Sequence, residues 1–291
     1  MKIRDLVQPA SLPRRLLRFS CYKFPCTIKN FAVGFLKAKL KRHQCNICGY
    51  RKVEFVYATY VHYFLRCPQC NIYFALNLPN AEKLRQEYIV SNDKEYLQER
   101  GEYAIPNWNG WMDWKIQTFK RLKLEEFEKE KGSLRRALEI GCAEGKVLEI
   151  LKERGWNVIG LDISEYEARL CKKLGFNVIV ATADKINFRD ESFDLVVMFH
   201  TLEHTTNPML VARNVFNTLK KGGRLVFELP YFLDKKILFE DFSNPGHLYF
   251  FSEKGLEKML RSNGFTYLDK FIYEDQIHKP KRNICYLVEK R

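Results

Sequence analysis

Short apolar segments and amphipathic segments alternate through the carboxyl-terminal half of the chain. Five apolar segments begin after residue 132, namely RRALEIGC, WNVIGLD, FNVIVAT, FDLVVMF and GRLVFELP. Segments with the apolar spacing of an amphipathic helix lie between them, at 145–154, 165–174 and 208–221. Because continuous Val, Ile and Leu runs are typical of strands buried on both faces, the alternation predicts an α/β domain with a parallel sheet between helices.

The flanking segments extend this domain in both directions. After the fifth strand we expect a helix at 252–262 and two further strands, in FTYLDKFIYE and NICYLVEK. Before the first strand the chain is charged and largely of helical pattern, and the last helix there is expected to stop at Gly132. We therefore divide the chain into an arm at 1–44, a cysteine-containing segment at 45–80, a helical linker or lid at 81–132 and a core at 133–291.

The positive charge is concentrated in the arm. The 291 residues carry a net charge of +14, and residues 1–44 contain eleven Lys and Arg against one Asp. Apolar residues recur at helical spacing in the arm. The arm is either a solvated tail or an amphipathic anchor on anionic lipid. We favour the anchor, because Phe31, Phe35 and Leu36 would be exposed to water on a solvated tail. We see no signal peptide and no apolar run of the roughly 18–20 residues that cross a bilayer. We expect a cytoplasmic protein, peripheral at the inner membrane surface if the arm is an anchor.

Four of the nine cysteines form two C-x₂-C pairs, CNIC and CPQC, with eighteen residues between them. This spacing predicts a four-thiolate zinc ribbon with Cys45, Cys48, Cys67 and Cys70 as ligands. Gly49 and Asn71 follow the two pairs, and both residue types tolerate left-handed backbone. A closed site of four cysteines leaves no position for water, so we assign this zinc to structure or recognition and not to catalysis. The other cysteines are scattered, which suggests a reducing compartment.

The segment LEIGCAEGKVLEIL reads as a strand, a glycine turn and a helix. The backbone at Gly141 and Gly145 can approach a ligand closely, and the N–H groups that open the helix favour a negatively charged or carboxylate-bearing group. Asp162 ends the next predicted strand, where an acid can accept hydrogen bonds from two ribose hydroxyls. The turn and the acid together are much more specific than a glycine turn alone.

The turn resembles the E-x-G-x-G-x-G motif of class I S-adenosylmethionine (SAM) dependent methyltransferases, with Ala143 in place of the middle glycine. Further segments resemble that family in order, over about 133–291. The resemblance implies an α/β, Rossmann-like, seven-stranded sheet with a reversed last strand, here preceded by the zinc ribbon and the helical linker. It also implies SAM at the carboxyl ends of the strands. The residues that it assigns to the SAM site are Glu139, Gly141, Cys142, Ala143, Gly145, Asp162, Ile163, Ala183, Asp184 and His200.

The segment MFHTLEHTTNP contains His200-x-x-Glu203-His204, the spacing of a zinc-protease signature. That signature needs both histidines on one face of a helix. Because FDLVVMF is predicted to be a strand with His200 at its tip, we reject the protease interpretation. Ubiquinone-pathway O-methyltransferases resemble this stretch, have an acid where His200 stands, and can bind a divalent metal there. A metal held by His200, Glu203 and His204 is therefore a further interpretation.

Three histidines are candidates for a catalytic base. A hydroxyl acceptor is a weak nucleophile until a base removes its proton, and histidine titrates in the useful range. The candidates are His247, His200 and His204, and each could instead be a positioning or core histidine. His247 follows the fifth strand, in the segment that the family uses to cover the acceptor.

The favoured hypothesis is a SAM-dependent methyltransferase that acts on a hydroxyl of a saccharide or other small acceptor. The ribbon, LRQEYIVSNDKEYL and the core together resemble a bacterial group associated with polysaccharide and cell-surface glycan synthesis. The alternative is an RNA methyltransferase that grips RNA with the ribbon and the arm. The ribbon aromatics could stack on bases or pack internally, and they are Tyr57, Tyr60, Tyr63 and Phe64. HTLEH argues against the alternative, because enzymes that N-methylate nucleic acids usually carry Asn/Asp-Pro-Pro-aromatic there. A binding module with an inactive core is the third hypothesis, against which the turn and Asp162 argue.

Overall fold

The structure is a computed structural model, and it describes only part of the chain. The described residues are 43–59, 62–80, 83–84, 86, 108–232, 242, 246–274 and 282–291, with the backbone alone at 108–111. Nearly all of the predicted arm and much of the predicted linker lie outside these residues, so the anchor interpretation stays a prediction. Within the described part, no helix is long and apolar enough to span a bilayer.

Two tight turns and three short strands form the cysteine ribbon, which we define as residues 45–80. The strands are β1 (Glu54–Ala58), β2 (Tyr63–Arg66) and β3 (Tyr73–Ala75), paired antiparallel in that order. In the turns, Gly49 N–H donates to Cys45 O and Asn71 N–H donates to Cys67 O, both at 2.8 Å. Gly49 has φ +72° and Asn71 has φ +56°, so the left-handed backbone predicted after each cysteine pair is confirmed.

Six helices are described, with residues of strong capping preference before three of them. They are α1 (Trp108–Arg121), α2 (Leu124–Lys131), α3 (Lys146–Glu153), α4 (Glu165–Lys173), α5 (Pro208–Thr218) and α6 (Glu253–Ser262). The side chains of Ser164, Asn207 and Ser252 accept a backbone N–H in the first turn of α4, α5 and α6. Helix α2 ends at Lys131 and Gly132 follows with φ +70°, as predicted.

The core sheet has seven strands and the predicted reversed last strand. Its members are β4 (Arg136–Ile140), β5 (Asn157–Asp162), β6 (Asn177–Val180), β7 (Phe193–Phe199), β8 (Leu219–Pro230), β10 (Phe265–Glu274) and β11 (Arg282–Lys290). The spatial order is β6-β5-β4-β7-β8-β11-β10, and β11 runs antiparallel to both of its neighbours. Every residue of β7 is buried, as expected for a strand with helices on both faces. The predicted α/β, Rossmann-like fold is confirmed.

The boundary between α5 and β8 differs from the prediction. A helix was expected to reach residue 221, but α5 ends at Thr218 and β8 begins at Leu219. Leu219 is fully buried and pairs with Phe193 of β7. Leu219 fits the apolar spacing of a helix, but it is buried because it belongs to the sheet. The spacing alone therefore placed the helix end too late. A two-residue strand, β9 (Tyr249–Phe250), pairs with β3 of the ribbon and not with the core sheet.

Candidate active site

The glycine turn joins the tips of three neighbouring strands. Gly141 lies directly after β4, with φ +77°, and its N–H donates to Leu161 O of β5 at 2.7 Å. A Cβ at this position would lie 2.2 Å from Oγ1 of Thr201, which follows β7. That hydroxyl donates to Ile140 O at 3.1 Å, so only glycine permits the approach. Gly145, with φ +80°, then opens α3.

The carboxylate of Asp162 is tied to the turn by two backbone groups. Its Oδ2 accepts Ala143 N–H and its Oδ1 accepts Ser164 N–H, both at 2.8 Å. Burial raises the pKa of Asp162 above its ordinary value, although these hydrogen bonds act in the opposite direction. Each oxygen keeps a further acceptor position, so the acid is placed at the strand tip where the sequence predicts a ribose contact.

Glu139 provides the test of whether this turn fits SAM. Its side chain is buried in β4, and Oε2 has no hydrogen-bond partner in the described part of the chain. Burial raises the pKa of this carboxyl well above its usual range. A cation beside it would stabilise the ionised form, and SAM carries an ammonium and a sulfonium group. An orphaned acid beneath a glycine turn therefore fits SAM.

The remaining predicted SAM residues lie on the same edge of the sheet. Cys142 is buried, and Ala143 has left-handed backbone with φ +42°. Ile163, which follows β5, is half-buried against the core. Ala183 and Asp184 lie in a short 3₁₀ turn after β6, where Asp184 O accepts a hydrogen bond from Asn214 of α5 at 3.0 Å. The structure brings all ten of these residues to the strand tips, while their roles stay predictions.

His200 is held between two buried carboxylates. It follows β7 with φ +49°, and its side chain is 35% exposed. Its Nε2 lies 3.1 Å from Glu228 Oε1 and its Nδ1 lies 3.5 Å from Glu203 Oε1. Partial burial lowers the pKa of His200, but the two carboxylates outweigh it and raise that pKa to about 9. His200 is therefore an imidazolium at neutral pH.

A lysine from α1 completes this charged network. Lys115 Nζ lies 2.5 Å from Glu228 Oε1, and both side chains are almost fully buried. Burial raises the pKa of Glu228, yet Lys115 and His200 bring it down to about 2. The network of Lys115, Glu228, His200 and Glu203 thus contains two cations and two anions, which is the pairing that buried charges require.

Glu203, His204 and His247 form a second group beside the network. One donor atom from each lies within 4.8 Å of the others. His204 Nδ1 lies 2.7 Å from Gly246 O. Because a carbonyl only accepts, Nδ1 must donate, and the neutral ring keeps its lone pair on Nε2. Neither oxygen of Glu203 has a hydrogen-bond partner among the described residues, and the side chain is 1% exposed. The His247 ring centroid lies 4.9 Å from that of His204.

This arrangement decides the question of the protease signature. Glu203 and His204 lie in a 3₁₀ turn at Leu202–His204, and His200 directly follows strand β7, so no helix carries the two histidines on one face. The rejection of a protease is confirmed. The group of possible metal ligands contains His247 where the sequence interpretation had His200. His200 instead lies against Glu203 and Glu228.

Two members of the buried network were not predicted. Glu228 is an acid within the apolar run RLVFELP, and such an interruption of a buried strand is a signal of a paired charge. Lys115 carries no comparable signal, because a lysine in an amphipathic helix usually faces solvent. Glu203 was noted within the histidine motif but was not assigned to the SAM site.

The cysteine ribbon brings its four sulfur atoms together and packs some of its aromatic rings internally. Cys45 and Cys70 Sγ atoms are 3.5 Å apart, and those of Cys48 and Cys67 are 3.4 Å apart. Tyr57 and Phe64 stack on Phe242 with ring centroids 5.2 and 4.6 Å apart, so both are used in packing. Tyr63 is exposed, and Tyr60 lies outside the described residues.

Residues 112–270 match a family model described as a methyltransferase domain. The match covers more than half of the chain. The chain belongs to this methyltransferase family. The strand tips with the glycine turn are its candidate cofactor site.

Two curated relatives show the range of similarity. The uncharacterized protein MJ1123 of Methanocaldococcus jannaschii is 31% identical over 137 residues, which cover 45% of this chain and 64% of that protein. A ubiquinone biosynthesis O-methyltransferase of Idiomarina loihiensis is 27% identical over 100 residues, which cover 32% of this chain and 41% of that enzyme. The methyltransferase thus spans less than two thirds of the length of either relative.

A solved structure from Galdieria sulphuraria, provisionally named a sarcosine dimethylglycine methyltransferase, has the same fold. Its TM-score is 0.52 and its sequence identity is 14%, and the alignment covers 60% of this chain and 86% of that one. At this identity the similarity concerns the fold alone.

Proposed function

We propose that this methyltransferase transfers a methyl group from SAM to a hydroxyl of a saccharide or other small acceptor, in cell-surface glycan synthesis. The observation that carries the proposal is the orientation of His204, whose Nδ1 is bound to Gly246 O. This leaves Nε2 of the neutral ring as a proton acceptor, on a residue that lies beside His247 and Glu203. A hydroxyl needs such a base before it can attack, whereas an amine acceptor needs it less.

His200 differs from the other two candidate bases because it lies between two buried carboxylates. His200 is already protonated at neutral pH, since its pKa is raised to about 9, so it is the weakest candidate. His204 and His247 are the better candidates, and Glu203 is placed to stabilise an imidazolium formed on either ring. When bound, SAM supplies an electrophilic methyl group. The residues of this chain orient the acceptor, hold its proton and restrict water in the cleft.

The comparisons support a hydroxyl acceptor only by analogy. The relative from Idiomarina loihiensis is named an O-methyltransferase, and its matched segment is short. The glycan assignment rests on the resemblance of the ribbon and core to glycan-associated methyltransferases. The packing of Tyr57 and Phe64 inside the protein gives no support to the RNA alternative, which needs exposed rings.

We also propose zinc as the occupant of the cysteine site. Four Sγ atoms on a tetrahedral zinc, each at about 2.3 Å, would lie roughly 3.8 Å from one another. The sulfur separations of 3.4 and 3.5 Å approach this value and are far longer than a disulfide of about 2.05 Å. Cys45, Cys48, Cys67 and Cys70 would hold the ion, with no ligand position left for water.

Transfer of label from methyl-tritiated SAM into a fractionated lysate of the source cells tests the acceptor. We expect label in the saccharide or glycolipid fraction, lost with the variant His247→Gln or His204→Gln. Label in RNA that nuclease removes would support the alternative instead. In a second experiment the protein is dialysed against EDTA while its zinc content is measured. Activity that then returns only with Mg²⁺ or Mn²⁺ would assign Glu203, His204 and His247 to a metal site and not to a catalytic base.

A further inference from the structure

The cysteine ribbon shares a sheet with the acceptor side of the cleft. Strand β3 pairs antiparallel with β9, through Tyr73 with Phe250 and Phe74 with Tyr249. The four strands β1-β2-β3-β9 form one sheet, although β9 lies more than 170 residues after β3 in the chain. We call residues 246–251 the acceptor segment, because they carry His247 and contain β9.

Leu248 links the ribbon to the 3₁₀ turn at Leu202–His204 through its backbone. Its carbonyl accepts Ala75 N–H of the ribbon at 2.8 Å, and its N–H donates to Glu203 O at 2.9 Å. His247 directly precedes it, and Gly246 O receives the hydrogen bond from His204. A short backbone path therefore runs from β3 to the 3₁₀ turn that carries Glu203 and His204.

Both cysteine turns also contact the carboxyl-terminal part of the acceptor segment or the residue directly after it. Asn46, between the first two cysteines, donates from Nδ2 to Tyr249 Oη at 2.8 Å. Ser252 Oγ donates to Cys70 O at 2.5 Å. Phe250 packs edge-on against Phe64 of β2, with ring centroids 5.3 Å apart. With zinc proposed at the cysteines, we expect the geometry of the two turns to depend on four thiolates that share one ion, because turns this small have little core of their own.

We propose that the cysteine ribbon is the positioning element of the acceptor side of the active site. Its metal-bound turns and strand β3 hold the acceptor segment against residues 202–204 and thereby fix His247 beside His204. Asn46 and Tyr249 are positioning residues that act through His247. This proposal rests on the proposed function for its catalytic meaning, but the contacts it names are independent of any methyl acceptor.

The glycine turn is held by contacts that do not involve the ribbon. We therefore expect SAM binding to be independent of the contacts that hold the acceptor segment. Gly141 N–H donates to Leu161 O, and Ala143 N–H donates to Asp162 Oδ2, so the turn is held within the core. Loss of the ribbon metal is therefore expected to free the acceptor segment while the SAM site stays formed. No contact of the cysteines with substrate is required.

The first experiment compares zinc-loaded full-length protein with protein whose zinc has been removed by chelation. Hydrogen exchange followed by mass spectrometry reports on peptides that cover residues 246–251, and calorimetry reports on SAM. We expect exchange in the acceptor segment to become at least about tenfold faster, with the dissociation constant of SAM changed less than about twofold. Unchanged protection of residues 246–251 in zinc-free protein would overturn the proposal.

A steric variant separates positioning from metal loss, in case zinc-free protein unfolds as a whole. Gly255 lies in α6, and a Cβ there would come within 2.3 Å of Cδ1 of Ile72 in the ribbon. Gly255→Ala should push the ribbon away, retain zinc by elemental analysis and speed exchange in the acceptor segment. Gly255→Ala combined with Ile72→Ala should restore slow exchange. Normal exchange in Gly255→Ala with zinc retained would count against the proposal.

A spectroscopic readout tests the positioning residues themselves. Tyr249→Phe removes only the hydroxyl that Asn46 binds. We expect the imidazole proton resonances of His247, assigned by their loss in His247→Gln, to change position in Tyr249→Phe and in Asn46→Ala. Identical resonance positions would show that the ribbon supports the fold without orienting His247. None of these measurements involves methyl transfer, so the proposed function can fail while this proposal stands, and the reverse.

Discussion

At the scale of single residues, Gly141 shows why the turn tolerates no side chain. Its backbone is left-handed, with φ +77°, and a Cβ would lie 2.2 Å from Thr201 Oγ1. Gly175 has φ +80° with no atom within 4 Å of the same position. The two glycines therefore have the same left-handed backbone, but a side chain would meet a neighbouring atom only at Gly141.

The variant Gly141→Ala should destabilise the protein far more than Gly175→Ala. Left-handed backbone alone costs an alanine about 1–2 kcal/mol, which is the expected loss at Gly175. The clash with Thr201 adds to this at Gly141, for a total on the order of 3 kcal/mol or more. Urea unfolding of both variants measures the difference, and equal losses would mean that Thr201 can move away without cost.

His200 gives the network a dependence on pH. Its pKa is raised from 6.5 to about 9, so its stabilising contribution is fully present below about pH 6.5 and is lost as the pH rises through 9. Between pH 6.5 and 9.5 the melting temperature of the wild type should fall more steeply than that of His200→Gln, which cannot titrate there. Thermal unfolding followed by circular dichroism reports both curves. Parallel curves would show that the two carboxylates do not hold a proton on His200.

At the scale of elements, helix α1 is joined to the strand tips by one buried ion pair. Lys115 of α1 contacts Glu228 near the end of β8, and its ammonium also lies 4.2 Å from the centroid of the Phe199 ring. Since Glu228 lies near the carboxyl end of β8, this pair fixes α1 over the same edge that carries the glycine turn.

Lys115→Met should cost on the order of 3 kcal/mol of unfolding free energy, because it leaves a buried carboxylate with a single cationic neighbour. Adding Glu228→Gln should recover most of that loss, since the uncompensated charge is then removed. Chemical denaturation of the two single variants and the double variant completes the cycle. Additive losses would show that Lys115 and Glu228 are not coupled.

Across the whole molecule, local sequence patterns predicted the helices and strands. They did not predict the pairings between residues far apart in the sequence, which depend on long-range packing. The buried apolar runs correctly indicated the parallel strands, and the residues after the cysteine pairs correctly indicated two left-handed turns. The family resemblance supplied the number of strands and the reversed last strand. The pairing of β3 with β9 had no signal, because neither short strand specifies its partner across such a separation. Glu228 interrupts an apolar run and so signalled a buried pair, but its partner Lys115 lies 113 positions away in sequence and could not be identified.

The most direct test of the central claim is calorimetric titration of the full-length protein with SAM. The strand tips of β4 and β5 are expected to bind it at one saturable site. Asp162→Asn should weaken binding at least about tenfold, because an amide cannot accept Ala143 N–H, Ser164 N–H and ribose hydroxyls as a carboxylate can. Asp190→Asn makes the same change at an exposed position and should leave binding unaltered. No saturable binding, or equal affinity for the wild type and Asp162→Asn, would contradict the assignment of the cofactor site.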